Sequence, residues 1–538
     1  MTSIFRNGAH GIAAILLVGV AMPAHATWHV AESAHFTVYS ESEAAELQQQ
    51  VVKLEKFDRL MRGFAGTNKP SSPVKLTLYH LRNMQAVAAA LPYPTQGIGG
   101  FYSTSERGPF LVATRKGDDD GMRSARKSVD IYAKDWGSGT IQHEYVHHFM
   151  YQYFPGNYPS WYSEGFAEYY GSMEFPQDGV IEVGHAPVYR MDTIRQAPWL
   201  PVKKLLTARS YDDVGDDIGM LYAEGWLLTH MAAQNPARGK QLKDYLFKVA
   251  SGSDYLTAAT ASFGDLDVLD RELHAHAKGL QALRYPIKPI DVGTVTVRAL
   301  SATEEALLRT DMRIDTGFAK SDLPLVIRAT RSAIAATPDD VHGLEILARL
   351  QEFQEDRAGA TDTIARLLRV SPGNATALLV KGRLASSALG AAKSTDQAAW
   401  GRARADLAAA VMAAPNRPEP LIAVFRSYLD QGVLPPDSAQ NGLMRALELM
   451  PQNDDLRYLV AADFEKRGLI DDALYIIGPA AFSSLGGDDD KEAKRQREMA
   501  KEGRKYTGFA SHESAVAMYK RLKLAKGEKP KGDAKAGG

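Results

Sequence analysis

Cysteine is missing from all 538 positions. No disulfide can brace the chain, no lipidated N-terminal cysteine can anchor it, and no thiolate can hold a metal. An excess of charge is missing too: 63 lysines and arginines face 64 aspartates and glutamates, for a formal net charge of −1. That balance points away from a basic nucleic-acid groove or a polyanionic partner. Beyond the N-terminus no stretch approaches the about 18 to 20 uninterrupted apolar residues that a membrane span needs. The remaining composition, 45% hydrophobic and 24% charged, is ordinary for folded protein. A single core cannot serve a chain of this length, and about three or four compact units are expected.

The first 26 residues read as an export signal, with Arg6 in a short positive leader, an apolar run from Ile12 to Met22, and Ala24-His25-Ala26 as a small-x-small cleavage site. The mature protein is expected to start near Thr27 and to be periplasmic or extracellular. After it, Phe36–Tyr39, Lys75–Tyr79 and Phe110–Thr114 read as strands. Glu41–Met61 reads as a helix, with Leu47, Val51, Leu54 and Phe57 near helical spacing. From Ser138 to Lys278 the signals are mainly helical. Pro286 and Pro289 then break any helix, which ends a first domain at 27–285 and leaves a linker over 286–300.

Beyond the linker a proline followed by polar residues recurs at Pro338, Pro372, Pro415 and Pro451, at intervals of 34, 43 and 36 residues. Small residues follow three of these prolines at ten positions' distance, namely Ala348, Gly382 and Ala461, and Ala473 sits where a second helix needs a small side chain. Period and small-residue placement resemble tetratricopeptide repeats, whose period is about 34 residues, with an insertion near Ser386–Gln397. The repeats are expected over 301–505 and a charged tail over 506–538, largely disordered after 525.

The chemistry lies between. Residues 143–147 read His-Glu-Tyr-Val-His. Two histidines four apart share one helix face, so both imidazoles reach one ion, while Glu144 projects about a quarter turn away toward a metal-bound water. Catalytic zinc needs a third protein ligand and an open fourth position. Downstream, Trp161-Tyr-Ser-Glu-Gly-Phe-Ala-Glu-Tyr169 offers Glu164, 17 residues after His147, and Glu168 one turn on. Phe154-Pro-Gly-Asn-Tyr-Pro159 supplies the reversal between the two helices.

These motifs resemble the gluzincin metallopeptidases, in which HExxH on one helix is completed by a glutamate within W-x-x-E-G-x-A on the next. Residues 28–278 look like a domain of the peptidase MA-like superfamily. The resemblance implies an α+β fold: a thermolysin-like catalytic domain of small mixed sheet and metal-binding helices, followed by an all-α tetratricopeptide-like solenoid. It implies Zn2+ on His143, His147 and Glu164, Glu144 as general base, Glu168 orienting a histidine, and Tyr222 stabilising the oxyanion, with His185 and His230 as weaker alternatives. His148 is expected to be structural. Phe110–Thr114 is expected to be the sheet edge that pairs with a peptide substrate. A G-x-M-E-N stretch is missing, which favours an endopeptidase over an aminopeptidase. The competing reading is a repeat scaffold for protein partners whose metal domain is inactive.

Overall fold

The computed structural model describes residues 28–91, 98–115, 136–156, 158–177, 179–209, 211–319, 321–481, 504–505 and 515–527. The expected signal segment 1–26 lies outside them. The N-terminal part opens with strands β1 (His29–Glu32) and β2 (Phe36–Ser40), helix α1 (Ala44–Phe64), β3 (Leu76–Leu81), α2 (Met84–Ala90), β4 (Gly100–Ser105) and β5 (Gly108–Thr114). The two helices of the metal motifs follow, α3 (Trp136–Tyr153) and α4 (Ser160–Gly171). A small antiparallel sheet is begun by β6 (Glu174–Gln177) and β7 (Val180–Val183). Six helices come next: α5 (Val188–Gln196), α6 (Val202–Thr207), α7 (Ile218–Gln234), α8 (Pro236–Ala250), α9 (Tyr255–Phe263) and α10 (Leu266–His276). Then come β8 (Leu283–Pro286) and β9 (Thr296–Ala299).

The main sheet has the order β4-β5-β3-β2-β1-β9, with β2–β3 and β3–β5 parallel and the other pairs antiparallel. Parallel pairing of β2 with β3 needs a crossover, which α1 provides. Alternation along the strands splits the core. Phe36, Val38, Leu76, Leu78, Leu111 and Ala113 pack with α1 and α3 on one face. Val30, Tyr79, Leu81, Phe110 and Val112 pack on the other with Val87 and Ala90 of α2. Every residue of β5 is buried, as expected for an internal strand covered on both faces.

Two expectations are corrected. Phe110–Thr114 lies between β3 and β4, so it is no edge; among the described residues the edges are β4, next to it, and β9 at the far end. Strand order depends on which strands pair across the fold, and local alternation is blind to that. Residues 286–300 are not a plain linker either, because β9 pairs with β1 and β8 with β7. Proline does exclude a helix there, but an edge strand tolerates it.

The C-terminal part begins with α11 (Ala302–Thr316), β10 (Phe318–Ala319) and α12 (Leu323–Ala333). It continues through α13 (Val341–Phe353), α14 (Arg357–Val370), α15 (Ala375–Ala391), α16 (Gln397–Ala413), α17 (Pro418–Asp430), α18 (Asp437–Leu449), α19 (Asp454–Lys466) and α20 (Ile470–Ala481). After a short β11 (Arg504–Lys505), paired with β10, comes α21 (Ala515–Ala525). This half is a run of helix pairs, and the recurring proline motif marks where the first helix of a pair begins. Asp340, Asn374 and Asn453, each two residues after such a proline, accept the N3 backbone N–H of α13, α15 and α19. Arg417 in the third motif, after Pro415, has no side-chain cap, and Pro418 opens α17 at N1 instead, where a missing N–H costs nothing.

The small residues mark close packing: a Cβ on Gly382 would stand 2.5 Å from the Leu407 side chain, and Ala348, Ala461 and Ala473 are fully buried. The insertion is absorbed by lengthening α15 and α16 to 17 residues each. Within the expected tail, residues 515–525 are instead a helix that buries Met518 and Leu522 against the last pair. Their i, i+4 spacing supplies an apolar stripe within a lysine-rich segment. The end of the tail, 528–538, lies outside the described residues. Among the described residues no helix is long and apolar enough to cross a membrane.

Candidate metal centre

Helix α3 sets His143 and His147 one turn apart, with their Nε2 atoms 3.2 Å from each other. Glu164 Oε2, from α4, lies 3.2 Å from His143 Nε2 and 3.4 Å from His147 Nε2. Three ligand atoms at about 2.0 to 2.1 Å from a tetrahedral zinc stand about 3.3 Å apart. The triangle therefore has the dimensions of three corners of such a site. Glu164 Oε2 is buried and faces only the two imidazole nitrogens, so its charge depends on positive charge held at the triangle. Its other oxygen accepts from the Tyr211 hydroxyl. The donor set fits a divalent ion of zinc's character.

Glycine explains how α4 reaches this position. Gly165 and Gly225 meet where α4 crosses α7: a Cβ on Gly165 would stand 2.2 Å from Gly225 backbone, and one on Gly225 2.3 Å from the Trp161 carbonyl oxygen. At the other end of α4 a Cβ on Gly171 would come within 3.0 Å of His143 Cα. The E-G pair thus combines a ligand with a contact that only glycine permits.

Both imidazoles are held from behind. Ser163 Oγ is 3.3 Å from His147 Nδ1, and Glu168 Oε1 is 3.6 Å from His143 Nδ1. Glu168 is itself fixed by Arg190, at 2.6 Å from Nη2 and 3.0 Å from Nε, and by the Tyr189 hydroxyl at 2.8 Å. Partners of this kind orient metal-binding histidines. Burial pulls the His143 imidazole down, but its hydrogen bond to Glu164 and the charges of Glu168 and Glu144 outweigh that and hold it at about 9. Burial would raise Glu164, yet the imidazoles keep it well below the usual carboxylate range. The cluster attracts positive charge.

Glu144 stands beside this triangle, its carboxyl pushed up by burial and pulled back by His143 and His147. The Tyr102 backbone of β4 also lowers it. With Thr114 N–H bonded to Gly99 O, the antiparallel register turns the backbone groups of Phe101, Ser103 and Ser105 toward β5, and those of Gly100, Tyr102 and Thr104 toward the free edge. That edge runs against α3: a Cβ on Gly100 would stand 2.8 Å from Thr140 Cγ2 and 3.4 Å from Glu144 Cγ.

Tyr222, on α7, stacks on His143 at 6.3 Å and 17°, under the Arg190 guanidinium at 4.3 Å. Tyr211, on a 3-10 turn, also stacks with Tyr222, at 6.3 Å and 18°. The two other oxyanion candidates lie elsewhere. His185 bonds Glu182 at 2.9 Å, and the buried His230 bonds His276 at 2.7 Å. His148 meets the Tyr102 hydroxyl at 3.2 Å, and burial pushes it down to about 3, so it is a neutral structural group. Sequence reasoning missed Tyr211, Ser163 and Arg190. Ser163 lies inside the glutamate motif and is readable as the residue before a ligand, but nothing in the sequence near Tyr211 or Arg190 signals the site.

Two further clusters of metal-binding residue types, His35–Glu55–Asp58 and Glu174–Glu182–His185, already hold arginine as counter-ion, Arg62 on Asp58 and Arg284 on Glu182.

No family model matches this sequence, and no curated protein matches it. Among solved structures it overlaps with a thermophilic TPR protein of Thermus thermophilus, at 20% identity over 37% of this chain and 98% of that one, with a TM-score of 0.29. PilW, a type IV pilus biogenesis factor, overlaps at 17% identity over 44% and 97%, TM-score 0.29, and yeast Tom70 at 12% over 66% and 68%, TM-score 0.26. Superpositions of this quality assign nothing to this chain, whose repeat architecture rests on its own capped helix pairs.

Proposed function

We propose that the protein is an exported zinc metallopeptidase that cleaves within polypeptide chains. The observation that carries this reading is the triangle of His143 Nε2, His147 Nε2 and Glu164 Oε2, at 3.2, 3.2 and 3.4 Å, with a buried carboxylate oxygen turned toward both imidazoles. When bound there, zinc supplies a Lewis acid and lowers the pKa of a water toward neutrality. Glu144, beside the ligands but not among them, takes the proton of the attacking water and passes it to the departing amine. A site whose role is structural has no use for such a carboxylate. Tyr222 donates its hydroxyl hydrogen to the carbonyl oxygen as charge develops on it. The outward N–H and C=O groups of Gly100 and Thr104 hold an extended substrate by strand addition.

A second reading is supported by the C-terminal half itself, since stacked helix pairs build extended surfaces for protein partners. In that reading the chain is an interaction scaffold and its metal domain is inert.

Metal analysis of purified protein, with a peptide-library cleavage assay on wild type and Glu144→Gln, separates the two. Zinc in both proteins and cleavage by wild type alone is the expected result. Equal cleavage by both removes Glu144 as base. Zinc without cleavage by either favours the scaffold.

A further inference from the structure

The turn of the β4–β5 hairpin is inserted among the leading helices of the repeat pairs. Glu106 Oε1 accepts from Arg426 Nη1 of α17 at 2.9 Å, and its other oxygen pairs with Arg383 of α15. Arg107 Nη1 donates to Asp311 Oδ1 of α11 at 2.7 Å, and Ser105 Oγ donates to Asp315 Oδ1 of the same helix at 2.8 Å. Thr104 Oγ1 accepts from Asn453 Nδ2, the cap of α19, at 3.1 Å. Four successive residues of the hairpin are thus gripped by four units of the array.

Around them the same side of the array carries compensating charge. Arg349 of α13 and Glu419 of α17 form a buried pair at 2.7 Å, and Glu352 of α13 lies 3.9 Å from Arg383. Helical-repeat arrays bind ligands on an extended face built from successive units, and here the leading helices hold the chain's own hairpin.

The gripped strand is the one that borders the metal triangle. Among the described residues β4 has a strand neighbour on one side only, β5, and an edge strand held by a single ladder opens more readily than internal structure. At the start of that strand Gly100 lies against Glu144, where a Cβ would stand 3.4 Å from Glu144 Cγ. We infer that Glu106 is a positioning residue and that the repeats act in cis, fixing the outer strand of the cleft at its working distance from Glu144. The consequence for turnover rests on the peptidase reading; the mechanical coupling does not.

The test uses the full chain as Glu106→Gln and, from the opposite side of the contact, Arg426→Gln. Glu352 and Glu419 stay near Arg383, and Asp455 and Asp430 near Arg426, when Glu106 loses its charge, so the first variant leaves no isolated buried cation. Hydrogen exchange at the Phe101, Ser103 and Ser105 amides is expected to quicken by at least about fivefold in either variant, with α3 amides unchanged. Affinity for zinc alone stays within about twofold. KM for a cleaved peptide rises about tenfold while kcat stays within about threefold, the mark of lost substrate alignment with the chemistry intact. Exchange in β4 that stays at the wild-type rate in both variants overturns the inference, as does exchange that quickens equally in β4 and α3. If neither wild type nor variants cleave peptides, the peptidase reading falls and the exchange data still decide the coupling.

Discussion

Glu224 is wholly buried on α7, with Oε1 accepting the Leu200 N–H at 2.7 Å and Oε2 unpartnered. Burial pushes its carboxyl up to about 8. The folded state therefore holds a proton that the unfolded chain gives up near pH 4.5, and stability is full below that value and declines as pH rises to about 8. Glu224→Gln should remove that decline: its melting temperature at pH 8 is expected to exceed that of wild type, with near equality at pH 5. A second residue-scale prediction separates the two stacked tyrosines. Tyr211→Phe removes the hydrogen bond to Glu164 and should weaken zinc binding about tenfold. Tyr222→Phe should leave zinc affinity within about twofold and lower kcat by about a hundredfold, as measured by metal-competition titration and peptide kinetics. At this scale the site was legible in proportion to how local its geometry is. Four residues on one helix fix the relation of His143 to His147, whereas Tyr211 reaches Glu164 from 47 positions away, out of a turn with no periodicity.

At the scale of elements, the crossing of α4 and α7 sets the position of Glu164. Gly225→Ala would drive a methyl into the Trp161 carbonyl oxygen, a backbone atom that cannot step aside, so a loss of about 2 to 3 kcal/mol or more is expected together with weakened zinc binding. Gly219→Ala, on the same helix, would place its methyl at 3.7 Å from Thr193 Cγ2, an ordinary contact, and should be neutral or stabilising by up to about 1 kcal/mol. Chemical denaturation of both variants checks the contrast. Helices, strands and repeat starts were readable because caps, prolines and periodicity are written locally. Strand order was not: the sequence of Phe110–Thr114 suits an edge or an interior position, and pairing with β3 and β4 puts it inside.

For the whole molecule, the boundary near residue 285 dissolves. Leu300, with Leu308 and Met312 of α11, joins the core on the second face of the main sheet, and β9 completes that sheet beside β1. A fragment ending at 285 loses both, exposing Val30, Tyr79 and Leu81, and is expected to aggregate or to lack native zinc affinity. Scanning calorimetry of the full chain should show one main transition, because the sheet and the repeats share packing and buried ion pairs; two well-separated transitions would contradict this. The grip on the hairpin also has a consequence in time. Glu106 and Arg426 meet across 320 residues, and chains are made from the N-terminus. The hairpin exists long before the helix that anchors it emerges. A nascent or prematurely terminated chain carries both histidines and Glu164 yet has an unmoored outer strand, so the order of synthesis itself withholds the finished arrangement until nearly the last repeat has been made.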